Sequence, residues 1–412
     1  MKYVVPLFVI LIVLVVVFIG RVNNTGTNNE VAKNEEIVET NNKQNIEIYK
    51  EIDIAVKEEP KEEIKNDIQV YEDVKEEIKD KIEFLPNIEE DKKEDLEENK
   101  PAKEGITFTA LGEIMMGGDV KTSDSGSYTL AFSDVSEFTR NSDYVVSNFT
   151  TNITSLEKIE NPKTKYIVTD KILNVFNALN INAVNIANDH ALDFGNNVFN
   201  RTKETLLNAE LDVIGLQDEI VYAEKNGVKI AFIGICNEVI GMQYNYTKSG
   251  IFMYDIELIK AKIKEANDKA DMVVVMNHLG LENTYKVTNI MSWYYKLLID
   301  SGADMVLGSH ALGMYPIEMY KGKPIIYSLG YLIHDTDVER GKESGIFNFT
   351  LDKTGTLKEI SIIPTYIKNK EKVVPYYSYD KEKAEVLLNK MGENISKENK
   401  QIIDNKLVIT ID

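Results

Sequence analysis

The sequence predicts an α/β (α+β) protein whose strands converge on one polar site, and three observations carry that reading. First, between residues 105 and 370 apolar strand-like runs alternate with amphipathic helical patterns. Second, His190, His278 and His310, three of the four histidines, close the runs IANDH, VVVMNH and VLGSH. Third, the stretch Ile186–Gly195, IANDHALDFG, gathers Asn188, Asp189, His190 and Asp193 just after the buried-strand pattern Ile181–Ile186. Open α/β sheets place their chemistry at the carboxyl ends of strands. A lone histidine there is usually a hydrogen-bonded structural residue. Three at equivalent strand ends point to a common pocket, and Glu113, also at a strand exit, is the carboxylate placed to join them.

The elements follow in order. Ile106–Met116 starts as a β-type alternation and carries Glu113, and Asp143–Thr150 is a second strand with Asn148 near its end. Thr169–Leu179 and Asn196–Ala209 have helical spacing, and Asp212–Gly215 is a short strand. Lys229–Cys236 follows the turn Lys225-Asn226-Gly227. In Asp255–Lys269, Ile256, Ile259, Ile263 and Ala266 recur at helical spacing. Met272–Asn277 is a strand ending at His278, and Ser292–Asp300 is a helix ending at Gly302. Asp304–Gly308 leads to His310, and Pro324–Leu329, Ile346–Leu351 and Leu357–Ile367 read as strands. Beyond residue 370 lies an extension, 371–412, with a helical stretch near Lys381–Met391 and a strand-like Lys406–Ile411.

Two further segments precede this domain. Val4–Gly20 is a run of about 17 apolar residues, roughly 26 Å of helix, enough for a thin hydrocarbon core. No small-x-small cleavage site follows it, which favours an uncleaved anchor over residues 1–21 against a removed signal peptide. The expected location is the cell membrane, with everything after Arg21 outside the cytoplasm. Residues 22–104 carry 26 acids and 13 bases. Ile64, Ile68, Tyr71, Val74, Ile78 and Ile82 form a narrow helical stripe there, so the segment reads as a solvated stalk or a weak coiled coil.

The formal net charge of −20 opposes binding to nucleic acid, whose phosphates it would repel. The single cysteine, Cys236, cannot form an internal disulfide and reads as a small core residue. The sequence contains no phosphate-binding loop and no GxGxxG. Trp293-Tyr294-Tyr295 and Tyr376-Tyr377 read as packing rather than as platforms for a ligand.

Four separated motifs resemble, in order, those of the CapA family of poly-γ-glutamate capsule biosynthesis proteins, relatives of the calcineurin-like metallophosphoesterases. They are Gly112-Glu113, the IANDHALDFG stretch, His278-Leu279-Gly280-Leu281-Glu282, and Gly308-Ser309-His310 with Lys323–Gly330. The resemblance spans about residues 105–370 and implies a metallophosphoesterase-like β-sandwich flanked by helices.

It also implies roles. The family's first motif is Gly-Asp, with a metal-binding Asp where Glu113 stands, and its Asn-Asn-His is Asn188-Asp189-His190 here. The acid of its Asn-Leu-Glu is replaced in Asn148-Phe149-Thr150. Ala311 and Leu312 replace the Pro and final His of its Gly-x-His-Pro-His, and Tyr331 follows Ser328-Leu329-Gly330 where it has Asn. Glu113, Asp189, His278 and His310 would then hold one divalent ion, for which Mn, Fe or Zn suit the donors, while a second ion lacks ligands. His190, oriented by Asp193, would be the general acid, with Asn148, Asn188, Glu282 and Ser328 around the substrate or the ligands.

The implied function is synthesis, release or anchoring of a poly-γ-glutamate-type surface polymer, with the anionic polymer or synthase subunits as partners. Loss of donors equally fits a non-catalytic polymer-binding or scaffold protein whose site holds no ion. Fold relatives alone would suggest a metal-dependent phosphoesterase, a weak warrant. A net-negative protein attracts a polyanion only through a local cation or a basic patch, and no dense basic run appears in 105–370.

Overall fold

The computed structural model describes residues 105–120, 128–154, 166–217, 219–236, 256–280 and 286–411. The expected membrane segment, the stalk and Glu282 lie outside these. Among the described residues, no helix is long and apolar enough to cross a membrane.

Among the described residues, eighteen strands run in chain order. They are β1 (Ile106–Ile114), β2 (Tyr144–Phe149), β3 (Asn152–Ile153), β4 (Ile167–Val168), β5 (Ala183–Asn185), β6 (Asp212–Ile214), β7 (Val221–Lys225), β8 (Val228–Cys236) and β9 (Met272–His278). Then come β10 (Met305–Ser309), β11 (Ile317–Tyr320), β12 (Lys323–Ile326), β13 (Tyr331–Ile333), β14 (Glu343–Leu351), β15 (Leu357–Lys368), β16 (Lys372–Pro375), β17 (Lys400–Ile403) and β18 (Lys406–Thr410). The larger sheet has the order β17-β18-β15-β14-β1-β2-β5-β6, with β13 beside β1 and β16 beside β15. The smaller has the order β11-β12-β10-β9-β8-β7. Both are mixed: β1, β2, β5 and β6 run parallel in one, and β8, β9, β10 and β12 in the other.

The two sheets share a core. Phe108, Ala110 and Val146 of the larger meet Phe232, Val274 and Leu307 of the smaller in one apolar cluster. Phe232 stands edge-on to Phe108 at 5.9 Å and stacks on Tyr144 at 5.5 Å, so aromatic pairs bridge the sheets. The run MVVVMNH of β9 shows why an unbroken apolar strand belongs here. Val274 and Met276 face this core, while Val273 and Val275 face a second one under helices.

Helices cover both outer faces. Ile259, Ile263 and Ala266 of the helix Ile256–Asn267 pack on Ala231, Val273 and Val275, the burial that their spacing implies. Phe199 and Leu206 of the helix Gly195–Asn208 cover the larger sheet beside Val145 and Val184. The arrangement is a β-sandwich between helical layers. The expected helix over Thr169–Leu179 begins as a 3-10 turn and is α-helical over Leu173–Ala178. The stretch 371–411, set apart by sequence as an extension, adds β16, β17 and β18 to the larger sheet. Leu387, Leu388 and Met391 of its helix Lys381–Met391 join the inter-sheet core.

Candidate metal centre

Parallel strands of both sheets end at one place. Glu113 is near the end of β1, Asn148 near the end of β2, and Asp189 and His190 follow β5 in the larger sheet. His278 ends β9 and His310 directly follows β10 in the smaller. Ser309 and His278 are register partners, which sets the two histidines side by side. Their rings lie 4.8 Å apart. At Gly308, just before them, the Tyr327 carbonyl oxygen and the Tyr295 hydroxyl pack so close that a Cβ would collide with both.

Asp189 is the hub. Its Oδ1 lies 2.9 Å from His278 Nε2 and 4.0 Å from His310 Nδ1, and its Oδ2 is 3.5 Å from His190 Nε2. Burial would push the Asp189 carboxyl up, but the His278 hydrogen bond and the surrounding imidazoles outweigh it and hold it well below the usual carboxylate range. Burial pushes His278 down, and Asp189 with Glu113 more than reverses this, so its pKa is raised. The Nδ1 of His278 faces Ser309 Oγ at 2.9 Å.

His190 is held at several atoms. Its Nδ1–H donates to Asp193 Oδ2 at 2.6 Å, and its backbone N–H donates to Asn188 Oδ1 at 3.0 Å. The Asn152 amide donates to its carbonyl at 2.8 Å. Burial lowers its pKa, but the Asp193 hydrogen bond and the charges of Asp189, Asp193 and Glu113 raise it to about 9. The expected pairing of His190 with Asp193 is thus present in the geometry.

Glu113 is almost fully buried and does different work from Asp189. Its Oε2 accepts the His310 backbone N–H at 3.1 Å, and its Oε1 accepts the Thr150 hydroxyl. His310 sits at φ +81°, a left-handed conformation unusual for a residue with a side chain. Glu113 and the Tyr331 hydroxyl, which donates to the His310 carbonyl at 3.1 Å, pin that residue from both sides.

The other expected residues shape loops. Asn188 donates to the Phe149 and Ile186 carbonyls, and Ser328 donates to the Ala311 carbonyl and accepts from the Gly330 N–H. Asn148 accepts from Asn185 at 2.8 Å, while its own amide nitrogen is buried with no hydrogen-bond partner among the described residues. Sequence reasoning passed over Thr150 and Ser309 as functional groups, and also Tyr166, His334 and Asp335. The Tyr166 hydroxyl lies 3.2 Å from His334 Nε2 and donates to Asp335 Oδ1 at 3.0 Å. His334 carries the signal of the other three histidines, since it directly follows the short apolar strand β13.

The donors can be tested against an ion. Among the described residues, one cluster of three metal-ligating groups exists, Asp189, His278 and His310, with donor atoms within 4.8 Å of one another. Ligands bound at about 2.1 Å stand no more than about 4.2 Å apart, so the spacing is near that of a single site. Both Glu113 oxygens already accept hydrogen bonds, and Glu113 is not in the cluster. Leu312, where a further imidazole would be needed, packs with Met115, Tyr331 and Ile367. The residues fit one ion held by one carboxylate and two imidazoles, a set suited to Mn, Fe or Zn.

Comparison with known proteins agrees with the four motifs. Residues 107–336 match the family model described as bacterial capsule synthesis protein PGA_cap. The chain is 32% identical over 264 residues to the PGA biosynthesis protein CapA of Bacillus subtilis, covering 61% of this chain and 69% of that one. It is 28% identical over 281 residues to the capsule biosynthesis protein CapA of Bacillus anthracis, covering 64% and 68%. Among solved structures, a 5′-nucleotidase from Candida albicans aligns with a TM-score of 0.39 at 11% identity, covering 72% of this chain and 58% of that one.

Proposed function

The chain belongs to the bacterial capsule synthesis protein PGA_cap family, and from that premise we propose that it acts in synthesis, release or anchoring of a poly-γ-glutamate-type surface polymer. The observation that carries the reading is the meeting of Asp189, His278 and His310, drawn from both sheets, beside the Asp193-held His190. A divalent ion there would supply Lewis-acid polarisation of a carbonyl or carboxylate oxygen. It would also supply the local positive charge that a polyanion needs near a protein of net charge −20.

The chain's own groups have distinct tasks. His278 is fixed through Ser309, which would accept from Nδ1–H once Nε2 gives its lone pair to an ion. Glu113 fixes the His310 backbone rather than adding a second carboxylate to the cluster. His190, with Nδ1 on Asp193 and Nε2 turned toward Asp189, holds or moves a proton at Nε2. In this reading Val4–Gly20 anchors the chain in the membrane and residues 22–104 hold the domain away from it on the outer side.

A second reading is favoured by one observation. Thr150 and Leu312 stand where the resemblance expects an acid and an imidazole, and both are committed elsewhere, to Glu113 and to an apolar cluster. A centre reduced in this way also suits a protein that binds polymer or a synthase subunit without cleaving it.

The test is metal content of the full chain, purified without chelators, alongside His278→Ala and His310→Ala. One bound transition metal in the parent and loss in both variants is expected; a parent without stoichiometric metal ends the one-ion reading. Turnover of a γ-linked glutamate oligomer, lost in His190→Ala, decides for catalysis, whereas binding without turnover decides for the second reading. Protease added to intact cells should remove the domain, and full protection would overturn the outward orientation.

A further inference from the structure

Beyond Asp193 and Asp189, a third group touches the His190 ring. Tyr166 meets it edge-on, with ring centroids 5.4 Å apart. The hydroxyl of the same tyrosine lies between His334 Nε2 and Asp335 Oδ1, at 3.2 and 3.0 Å. Those two side chains are themselves 3.3 Å apart, so the three form a closed triangle. The triangle is anchored to its surroundings. Asp335 Oδ2 accepts the Asp119 backbone N–H at 3.2 Å, and the Tyr331 ring stacks on His334 at 4.6 Å. Tyr331 also donates to the His310 carbonyl.

We propose that Tyr166 is a positioning residue for His190: its ring sets the His190 imidazole plane, and His334 and Asp335 act on the site by fixing the Tyr166 hydroxyl. The inference deepens the one-ion reading, in that it concerns the proton-carrying group of the same site. The physical argument is one of constraint. Asp193 and Asp189 bear on the two nitrogens of the His190 ring, at 2.6 and 3.5 Å, and neither packs against its carbon frame. A tyrosine ring packed edge-to-face against the imidazole opposes its tilting. A tyrosine can do so only if its own ring is fixed, and two hydrogen bonds at the far end of the ring meet that need. The web explains why the fourth histidine stands at a strand exit like the other three yet contributes no donor to the cluster.

The chain holds only four histidines, so their ring resonances can be read individually in the full-length protein. In Tyr166→Phe, which keeps the ring and loses the hydroxyl, the His190 and His334 ring signals should both move, while the His278 signal and the unfolding midpoint hold. Movement of His334 alone would overturn the proposal, because the hydroxyl would then not govern His190. Movement of all four would overturn it too, because the effect would be on the whole site. If Tyr166→Phe fails to fold, Asp335→Asn reads the path from its far end, and an unmoved His190 signal overturns the proposal. Metal content of the same samples reads the one-ion proposal separately: a metal-free parent with the expected shifts would sink that reading and leave this one standing.

Discussion

His278 Nε2 stands 2.9 Å from Asp189 Oδ1, and this contact joins the two sheets of the sandwich at their open edge. His278 comes from the smaller sheet and Asp189 from the turn after β5 of the larger. Below the contact the sheets meet through apolar and aromatic side chains such as Phe108 and Phe232. Above them a charged pair replaces that packing, with His278 1% exposed. A buried ion pair is weak evidence for stability, since desolvation opposes it. Its persistence here is explained by what it prepares, a carboxylate and an imidazole aimed at one point.

The orientation of His278 depends on Ser309. With Nδ1 held by the serine hydroxyl at 2.9 Å, Nε2 is the atom that faces Asp189. Ser309→Ala removes the partner but leaves every donor of the cluster in place. Metal affinity should fall about 10–100-fold, the usual cost of losing a ligand's outer hydrogen bond. Titration of the full chain with a transition metal would show it, and an unchanged affinity would mean that Ser309 only packs.

Restoring the family residue at position 312 should not restore a second ion. Leu312 packs against Met115, Tyr331 and Ile367, an apolar neighbourhood. An imidazole at this half-buried position gives up part of its hydration against apolar carbon, a cost of roughly 1–3 kcal/mol. Leu312→His should therefore lower the unfolding midpoint and leave the metal stoichiometry at one per chain. Two ions per chain in that variant would show that the site has been edited less deeply than its packing indicates.

Much of this was legible in the sequence, and the gaps have physical causes. The apolar runs of β8, β9 and β10 identify themselves, because strands buried on both faces leave no polar alternation. His278 and His310 are legible because each closes such a run, and His190 because it stands in the polar cluster after the run of β5. Glu113 is marked as a donor by its place at a strand exit and by the family's metal-binding Asp at that position. That its two oxygens go to Thr150 and to the His310 backbone is a fact of side-chain reach, which residue spacing does not encode. His334 was missed because β13 is only three residues long, too short to show a period. The C-terminal strands read as an extension because pairing of β18 with β15 spans some forty residues of intervening chain, and long-range pairing leaves no local signal.

Stability should show a pH dependence centred away from the metal site. Burial raises the pKa of Glu343, and Arg340, Lys390 and the Tyr376 hydroxyl only partly offset this. A carboxyl raised in the folded state favours folding below its unfolded value of about 4.3. That contribution is lost as pH rises through the folded value. Glu343→Gln removes the titration and keeps an acceptor for Tyr376. The variant should match the parent below about pH 4 and unfold at a higher temperature at neutral pH. Equal midpoints at both pH values would show that the charged form of Glu343 is well solvated.

His310 should trade stability for ion binding. Its φ of +81° is comfortable for glycine and strained for histidine, and the hydrogen bonds to Glu113 and Tyr331 hold it there. Strain of this kind costs about 1–3 kcal/mol and gathers at functional sites. His310→Gly relieves the backbone and deletes a donor of the three-residue cluster, so two effects of opposite sign are expected. The metal-free variant should unfold at a higher temperature than the metal-free parent, while metal no longer shifts its midpoint. The parent's midpoint should rise with added metal, by mass action on the folded state. A glycine variant less stable than the metal-free parent would mean that the imidazole contributes more through packing against His278, 4.8 Å away, than its backbone costs.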